Sequence, residues 1–152
     1  MADLNILLIS AKSSLSAISP PMGVYHLQNY VSKRGFNCEI LELDLDEKEP
    51  FLEKAKSGAY DMIGMSVSHW NMEGDLDLFW EFRVARQQFD DKCLFIAGGQ
   101  EATLNFHQWL GVGVDLVFLG FAEIPLLEFC RNLSSWDRDG DILSALPELT
   151  EG

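Results

Sequence analysis

Short apolar runs alternate with amphipathic stretches along most of this chain, and that rhythm leaves few folds open. Leu4–Ser10 (LNILLIS) reads as a buried strand. Pro21–Gly35 reads as a helix, with Val24, Leu27 and Val31 at helical spacing and Gly35 at its stop. Cys38–Leu43 (CEILEL) alternates like a second strand, Phe51–Ser57 is a short helix, and Asp61–Val67 (DMIGMSV) is the third strand. Glu73–Phe89 is the longest helical stretch, Cys93–Ala97 (CLFIA) the fourth strand, and Thr103–Leu110 a short helix. Asp115–Leu119 (DLVFL) is the fifth strand, and Ala122–Leu133 the last helix. Strands separated by helices pair in parallel through right-handed crossovers, which puts helices on both faces of the sheet. Continuous apolarity in the first, third and fourth strands fits burial on both sides. The alternating second strand runs into Glu42, Asp44, Asp46 and Glu47, a solvated run that suits a sheet edge. The expected fold is therefore an α/β three-layer, flavodoxin-like (Rossmann-like) domain over residues 1–133, its five parallel strands in the order 2-1-3-4-5. From Ser134 onward Ser, Asp, Gly and Pro break the rhythm, so 134–152 reads as a linker or docking tail.

Composition narrows the function. With 152 residues there is room for one domain, and 11 Lys+Arg against 24 Asp+Glu give a net charge of −13. Such an acid excess argues against a surface that grips nucleic acid or anionic lipid, since both need clustered cations. No apolar run approaches the length of a membrane span and no signal sequence opens the chain, so a cytoplasmic location is expected. Cys38, Cys93 and Cys130 are far apart in apolar segments and form neither a disulfide framework nor a zinc pattern. The longest helix carries two apolar stripes. Leu76, Phe79, Trp80 and Val84 are expected to bury against the sheet; Leu78, Phe82, Ala85 and Phe89 would then be left to dock a partner.

In a sheet of this order the ligand crevice lies beyond the carboxyl ends of the strands, at the switch between the first and third. That rule points to Ala11–Met22, the turn after Leu43, Ser68–Met72, Gly98–Thr103 and Gly120–Glu123. The first loop, AKSSLSAISPPMG, lacks the glycines of a dinucleotide fingerprint or a P-loop. A phospho-acceptor receiver needs a carboxylate where Ser66 and Ser68 stand. His26, His69 and His107 have no paired metal spacing, and no nucleophile elbow or Cys–His arrangement is present. No self-contained catalytic site is legible. Ser13, Ser14 and Ser16 keep open a flavin mononucleotide-binding electron-transfer protein, and an interaction module with an empty crevice is a third reading.

Taken in order, the loops carry Ser19-Pro20-Pro21-Met22-Gly23, then Gly64-Met65-Ser66-Val67-Ser68. After these come Ala97-Gly98-Gly99-Gln100-Glu101-Ala102-Thr103 and Gly120-Phe121-Ala122-Glu123. Over residues 4–133 this order resembles the N-terminal cobalamin-binding domain of cobalamin-dependent radical S-adenosylmethionine enzymes. Two departures stand out: the last motif is G-F-A-E where the family commonly has G-E-G-E, and the D-x-H-x-x-G loop of methionine-synthase-type domains is missing. The resemblance implies a domain that binds base-off cobalamin, with its nucleotide tail inserted between the ends of the first and third strands. Pro21, Met22, Gly23, Ser66, Ser68, His69, Trp70, Asn71, Gly98, Gly99, Gln100, Glu101, Thr103, Gly120, Phe121 and Glu123 would form the site. Gly98 and Gly99 would let a flat base or a phosphate approach the backbone, Ser66, Ser68 and Thr103 would offer hydroxyls, and amides at the start of the Thr103 helix would take a phosphate. Below the cobalt either His69 supplies an imidazole nitrogen or Trp70 covers the ring and leaves no protein ligand; the second is favoured. The resemblance further implies methyl transfer by a longer enzyme. S-adenosylmethionine and a 4Fe-4S cluster would sit in a radical barrel domain, in cis or in trans. Ile142–Pro147 resembles the lead-in to that barrel, whose C-x-x-x-C-x-x-C motif does not occur here, so the chain reads as a domain of a longer enzyme or a stand-alone relative.

Overall fold

Four consecutive residues of the first strand, Ile6 to Ile9, are buried, which a strand achieves only when both its faces are covered. The computed structural model describes residues 4–10, 22–43, 46–67, 72–87 and 93–135. The elements run β1 (Asn5–Ser10), α1 (Met22–Ser32), β2 (Asn37–Glu42), α2 (Glu49–Lys56), β3 (Met62–Ser66) and α3 (Met72–Gln87). They continue as β4 (Leu94–Gly98), α4 (Gln100–Leu104), α5 (Phe106–Gly111), β5 (Leu116–Val117) and α6 (Glu123–Ser135). The sheet is wholly parallel in the order β2-β1-β3-β4-β5, as the alternation of strands and helices requires. The register aligns Leu8, Gly64 and Ile96 across β1, β3 and β4, and one pleat further on Ser10, Ser66 and Gly98. At the opposite edge the carboxylates of Asp61 and Asp115 accept the Asn5 and Phe95 amides, each at 2.8 Å, and pin that register.

Two apolar cores flank the sheet. Val24 and Val31 of α1 and Leu126, Phe129 and Leu133 of α6 cover one face. Ala55 of α2, Leu78, Phe79 and Phe82 of α3 and Trp109 of α5 cover the other. Among the described residues no helix is long and apolar enough to cross a membrane.

Four expectations need correction. Helix α3 buries Leu78, Phe79, Phe82 and Ala85, whereas Trp80 and Val84 are 45% and 53% exposed. Phe79 is buried as expected, but Leu78, Phe82 and Ala85, assigned to a partner, are buried with it in place of Trp80 and Val84; Phe89 lies outside the described residues. The contacts that select this register are tertiary: Phe79 meets Phe95 edge-on at 5.5 Å, and Arg83 reaches across to donate to the Gly113 carbonyl at 2.7 Å. The expected helix over Thr103–Leu110 is two helices starting earlier, because Asn105 (φ −123°, ψ 36°) leaves helical geometry between them. The fifth strand keeps only Leu116 and Val117, and Leu119 is exposed. Glu42 is buried rather than solvated: its carboxylate accepts the Tyr25 hydroxyl, and its amide donates to Asp46.

Candidate functional site

Beyond mid-sheet, on the α1/α6 face, side chains run out. β3 presents Gly64 and then Ser66, and β4 presents Ile96 and then Gly98. Leu8 and Ile96 lean over Gly64 from either side: a Cβ there would come within 3.0 Å of Leu8 Cδ2 and 2.9 Å of Ile96 Cγ1. They form the floor of a cleft of about 180 Å³ that opens at the carboxyl ends of β3 and β4. One wall is the first turns of α1, with Gly23, Val24 and Leu27. The other is the start of α6, with Ala122, Glu123 and Leu126. Phe118 closes the β5 side, backed edge-on by the buried Phe129 at 6.2 Å.

The Gly98-Gly99 turn shapes the mouth, and its two glycines differ. Gly99 has φ +103°, and a Cβ on it would lie 2.9 Å from the Val67 carbonyl oxygen, so only glycine lets this loop lie so close to the end of β3. A methyl on Gly98 would find Phe118 no nearer than 3.9 Å; it would occupy cleft space without straining the protein. Thr103 holds the loop: its hydroxyl donates to the Gly99 carbonyl at 2.9 Å and accepts the Gly120 amide at 3.1 Å. This corrects the expected role of Thr103, because its hydroxyl is committed to backbone. Its amide donates to the Gly99 carbonyl at 3.0 Å inside α4, so it is not an anion donor. The Ser66 hydroxyl, by contrast, is exposed and has no hydrogen-bond partner among the described residues. Glu123 is the one charged side chain among the described lining residues, so none of them would offer a phosphate a Lys or Arg. Phe121 is 90% exposed at the mouth, and Leu104, Leu119 and Ile124 on adjoining segments are also exposed. Such an apolar rim is costly in water unless something covers it.

The structure brings Gly23, Ser66, Gly98, Gly99, Gly120, Phe121 and Glu123 to one cleft, with Thr103 behind it. Met22 begins α1 and Gln100 and Glu101 begin α4, while their side chains lie outside what is described. Pro21, Ser68, His69, Trp70 and Asn71 lie outside the described residues. The cleft is centred on β3 and β4, rather than between β1 and β3. Sequence reasoning missed its floor and walls: Leu8, Gly64, Val24, Leu27, Ile96, Phe118 and Leu126. The signal available was Gly64, a lone glycine inside an apolar strand, which marks a close approach. Among the described residues no group of three His, Cys, Asp or Glu is placed to hold a metal ion.

The B12 binding domain family matches residues 11–129, most of the chain, which supports cobalamin binding. No curated protein matches the sequence. Among solved structures, TsrM from Kitasatospora setae, a radical S-adenosylmethionine methyltransferase with cobalamin and a [4Fe-4S] cluster bound, superposes with a TM-score of 0.71 at 18% identity. The match covers 88% of this chain and 27% of TsrM. TsrM with its tryptophan substrate and aza-SAM gives 0.68 at 19% identity, covering 86% and 26%. A CheY-like protein, tadZ, from Pseudomonas aeruginosa PAO1 gives 0.58 at 15% identity, covering 88% and 97%. At these identities the likeness is one of fold, and the chain spans about a quarter of TsrM.

Proposed function

The chain belongs to the B12-binding domain family, and from that premise we propose that its cleft takes the nucleotide tail of a cobalamin whose base has left the cobalt. The observation that carries this reading is the apolar cleft at the carboxyl ends of β3 and β4, floored by Leu8 and Ile96 where they close over Gly64 and left open at Gly98, which brings no side chain into it. A flat, largely apolar group fits there, and the Ser66 hydroxyl, without a partner among the described residues, offers it one hydrogen bond. Gly23, Gly120, Phe121 and Glu123 complete the mouth, and Thr103 positions the Gly99 and Gly120 backbones. Pro21, Met22, Ser68, His69, Trp70, Asn71, Gln100 and Glu101 are included on the order of the motifs alone, with Trp70 preferred to His69 beneath the cobalt. When bound, the cofactor supplies the methyl-transfer or radical chemistry, and the chain's part is to bind it, orient it and keep water away.

In this reading the chain is the cofactor domain of a cobalamin-dependent radical S-adenosylmethionine enzyme of the methyltransferase type. S-adenosylmethionine and the 4Fe-4S cluster belong to a radical barrel, in cis or in trans; the fold shared with TsrM supports this. The test is to incubate the purified chain with hydroxocobalamin, with and without reductant, and to desalt it. About one corrinoid per chain should co-elute. No corrinoid in either state, or a flavin spectrum in the purified protein, overturns the proposal.

A further inference from the structure

The cleft is unevenly furnished. Its walls and floor are the hydrocarbon side chains of Leu8, Val24, Leu27, Ile96, Phe118 and Leu126. Among the described lining residues only Ser66 and Glu123 bring polar side chains, and Glu123 stands in the first turn of α6, where the helix N-terminus favours its charge. Three carbonyls at the end of β4 are already engaged. Ala97 accepts the Phe118 amide at 2.9 Å, Gly98 accepts the Val67 amide at 3.0 Å, and Gly99 accepts both the amide and the hydroxyl of Thr103. Among the described residues, a group entering this cleft therefore finds much apolar contact and one uncommitted neutral side-chain hydroxyl.

We infer that the cleft selects among corrinoids by their lower base, accepting a benzimidazole and disfavouring an adenine. The inference rests on the proposed cobalamin binding and goes further by naming which corrinoid is bound. A dimethylbenzimidazole has a hydrocarbon edge and one free ring nitrogen, which matches apolar walls and a single hydroxyl. An adenine of the same outline adds an exocyclic amine and further ring nitrogens. Buried against Leu27, Phe118 and Leu126, these lose water and gain no further neutral side-chain partner among the described residues. Shape alone does not distinguish the two bases; polarity does. Adenine also leaves cobalt more readily than benzimidazole, so the cost of freeing the base acts in the opposite direction. A preference for the benzimidazole form must then come from the cleft.

Three corrinoids test this by equilibrium dialysis against the full chain: hydroxocobalamin, its adenine-based counterpart, and cobinamide, which has no nucleotide. The adenine form should bind weaker than cobalamin by roughly tenfold or more, the effect of leaving one or two buried polar groups unpaired. Cobinamide should also bind at least about tenfold weaker, having lost the apolar burial of the base. Equal affinity for the two complete corrinoids overturns the selectivity and leaves cobalamin binding standing. Cobinamide equal to cobalamin overturns it as well, because the cleft would not read the nucleotide at all. If none of the three binds, the proposed function fails and the selectivity falls with it.

Discussion

Gly98 and Gly99 are neighbours in sequence yet differ in what a side chain would do, and this difference gives a clean experiment. At Gly98 an added side chain points to cleft space, with Phe118 3.9 Å away, so Gly98→Val should melt close to wild type and retain much less cobalamin after desalting. At Gly99 the backbone (φ +103°) and the Val67 carbonyl at 2.9 Å forbid a Cβ, so Gly99→Ala should lose stability. The left-handed conformation alone accounts for about 1–2 kcal/mol of that loss. Thermal melts and corrinoid retention on both variants check it, and wild-type retention by Gly98→Val would mean that the tail does not pass this residue. The Gly-Gly pair was legible as a motif, but the division of roles was not. Which glycine faces a cleft and which faces a carbonyl depends on where β3 ends beside β4. Thr103 shows the same limit: its type suggested a ligand hydroxyl, but the nearby Gly99 carbonyl and Gly120 amide claim it.

Helix α3 is where local pattern misled. Apolar residues lie on two sides of it, so a period of 3.6 residues is satisfied by either stripe, and only Phe95, Gly113 and the facing sheet decide between them. The observed register predicts that Phe82→Ala, a fully buried ring, loses about 3–5 kcal/mol, whereas the exposed Val84→Ala changes stability by no more than about 0.5 kcal/mol. Urea unfolding of the two variants measures both, and a larger loss at Val84 would reverse the register. The break at Asn105 was hidden for a related reason. A short polar side chain weakens a helix without specifying where it stops, and the exit of the chain toward β5 fixes the point. By contrast β1, β3 and β4 were legible almost to the residue, because burial on both faces leaves an apolar run too short for a buried helix and bounded by polar or glycine residues.

At the scale of the whole molecule, strand order followed from the alternation of elements and from which strand was amphipathic, whereas the cleft depends on α1 and α6 meeting over Gly64, a juxtaposition that no local stretch encodes. Charge is the other global property, and it sets how stability responds to pH and salt. Partial burial pushes the Glu39 carboxyl upward, but hydrogen bonds from Lys54 and Tyr60 outweigh it and hold the folded value below the ordinary 4.5. That contribution is present above pH 4.5 and is lost as pH falls through the folded value. Burial raises the thiols of Cys38 and Cys130 from about 9 to about 12, and burial and then the Glu39 hydrogen bond raise Tyr60. Raised groups stabilise below their unfolded values, so their contribution is lost as pH rises from about 9 toward 12. Stability should therefore be highest between these limbs, where the chain also carries its full net charge of −13. Self-repulsion at that charge opposes the compact state, while the exposed ion pairs Lys48–Glu81, Lys54–Glu39 and Lys56–Glu53 are each worth at most about 1 kcal/mol. Salt near 1 M shortens the screening length to about 3 Å and weakens both, but the repulsion acts over longer distances and involves more charges. Added sodium chloride at pH 7 should thus raise the melting temperature, with the gain shrinking as pH approaches the isoelectric point near 4.4. Melts followed by circular dichroism across pH and salt decide it: a midpoint that falls with salt at pH 7 would show that the three ion pairs outweigh the repulsion of the acidic surface.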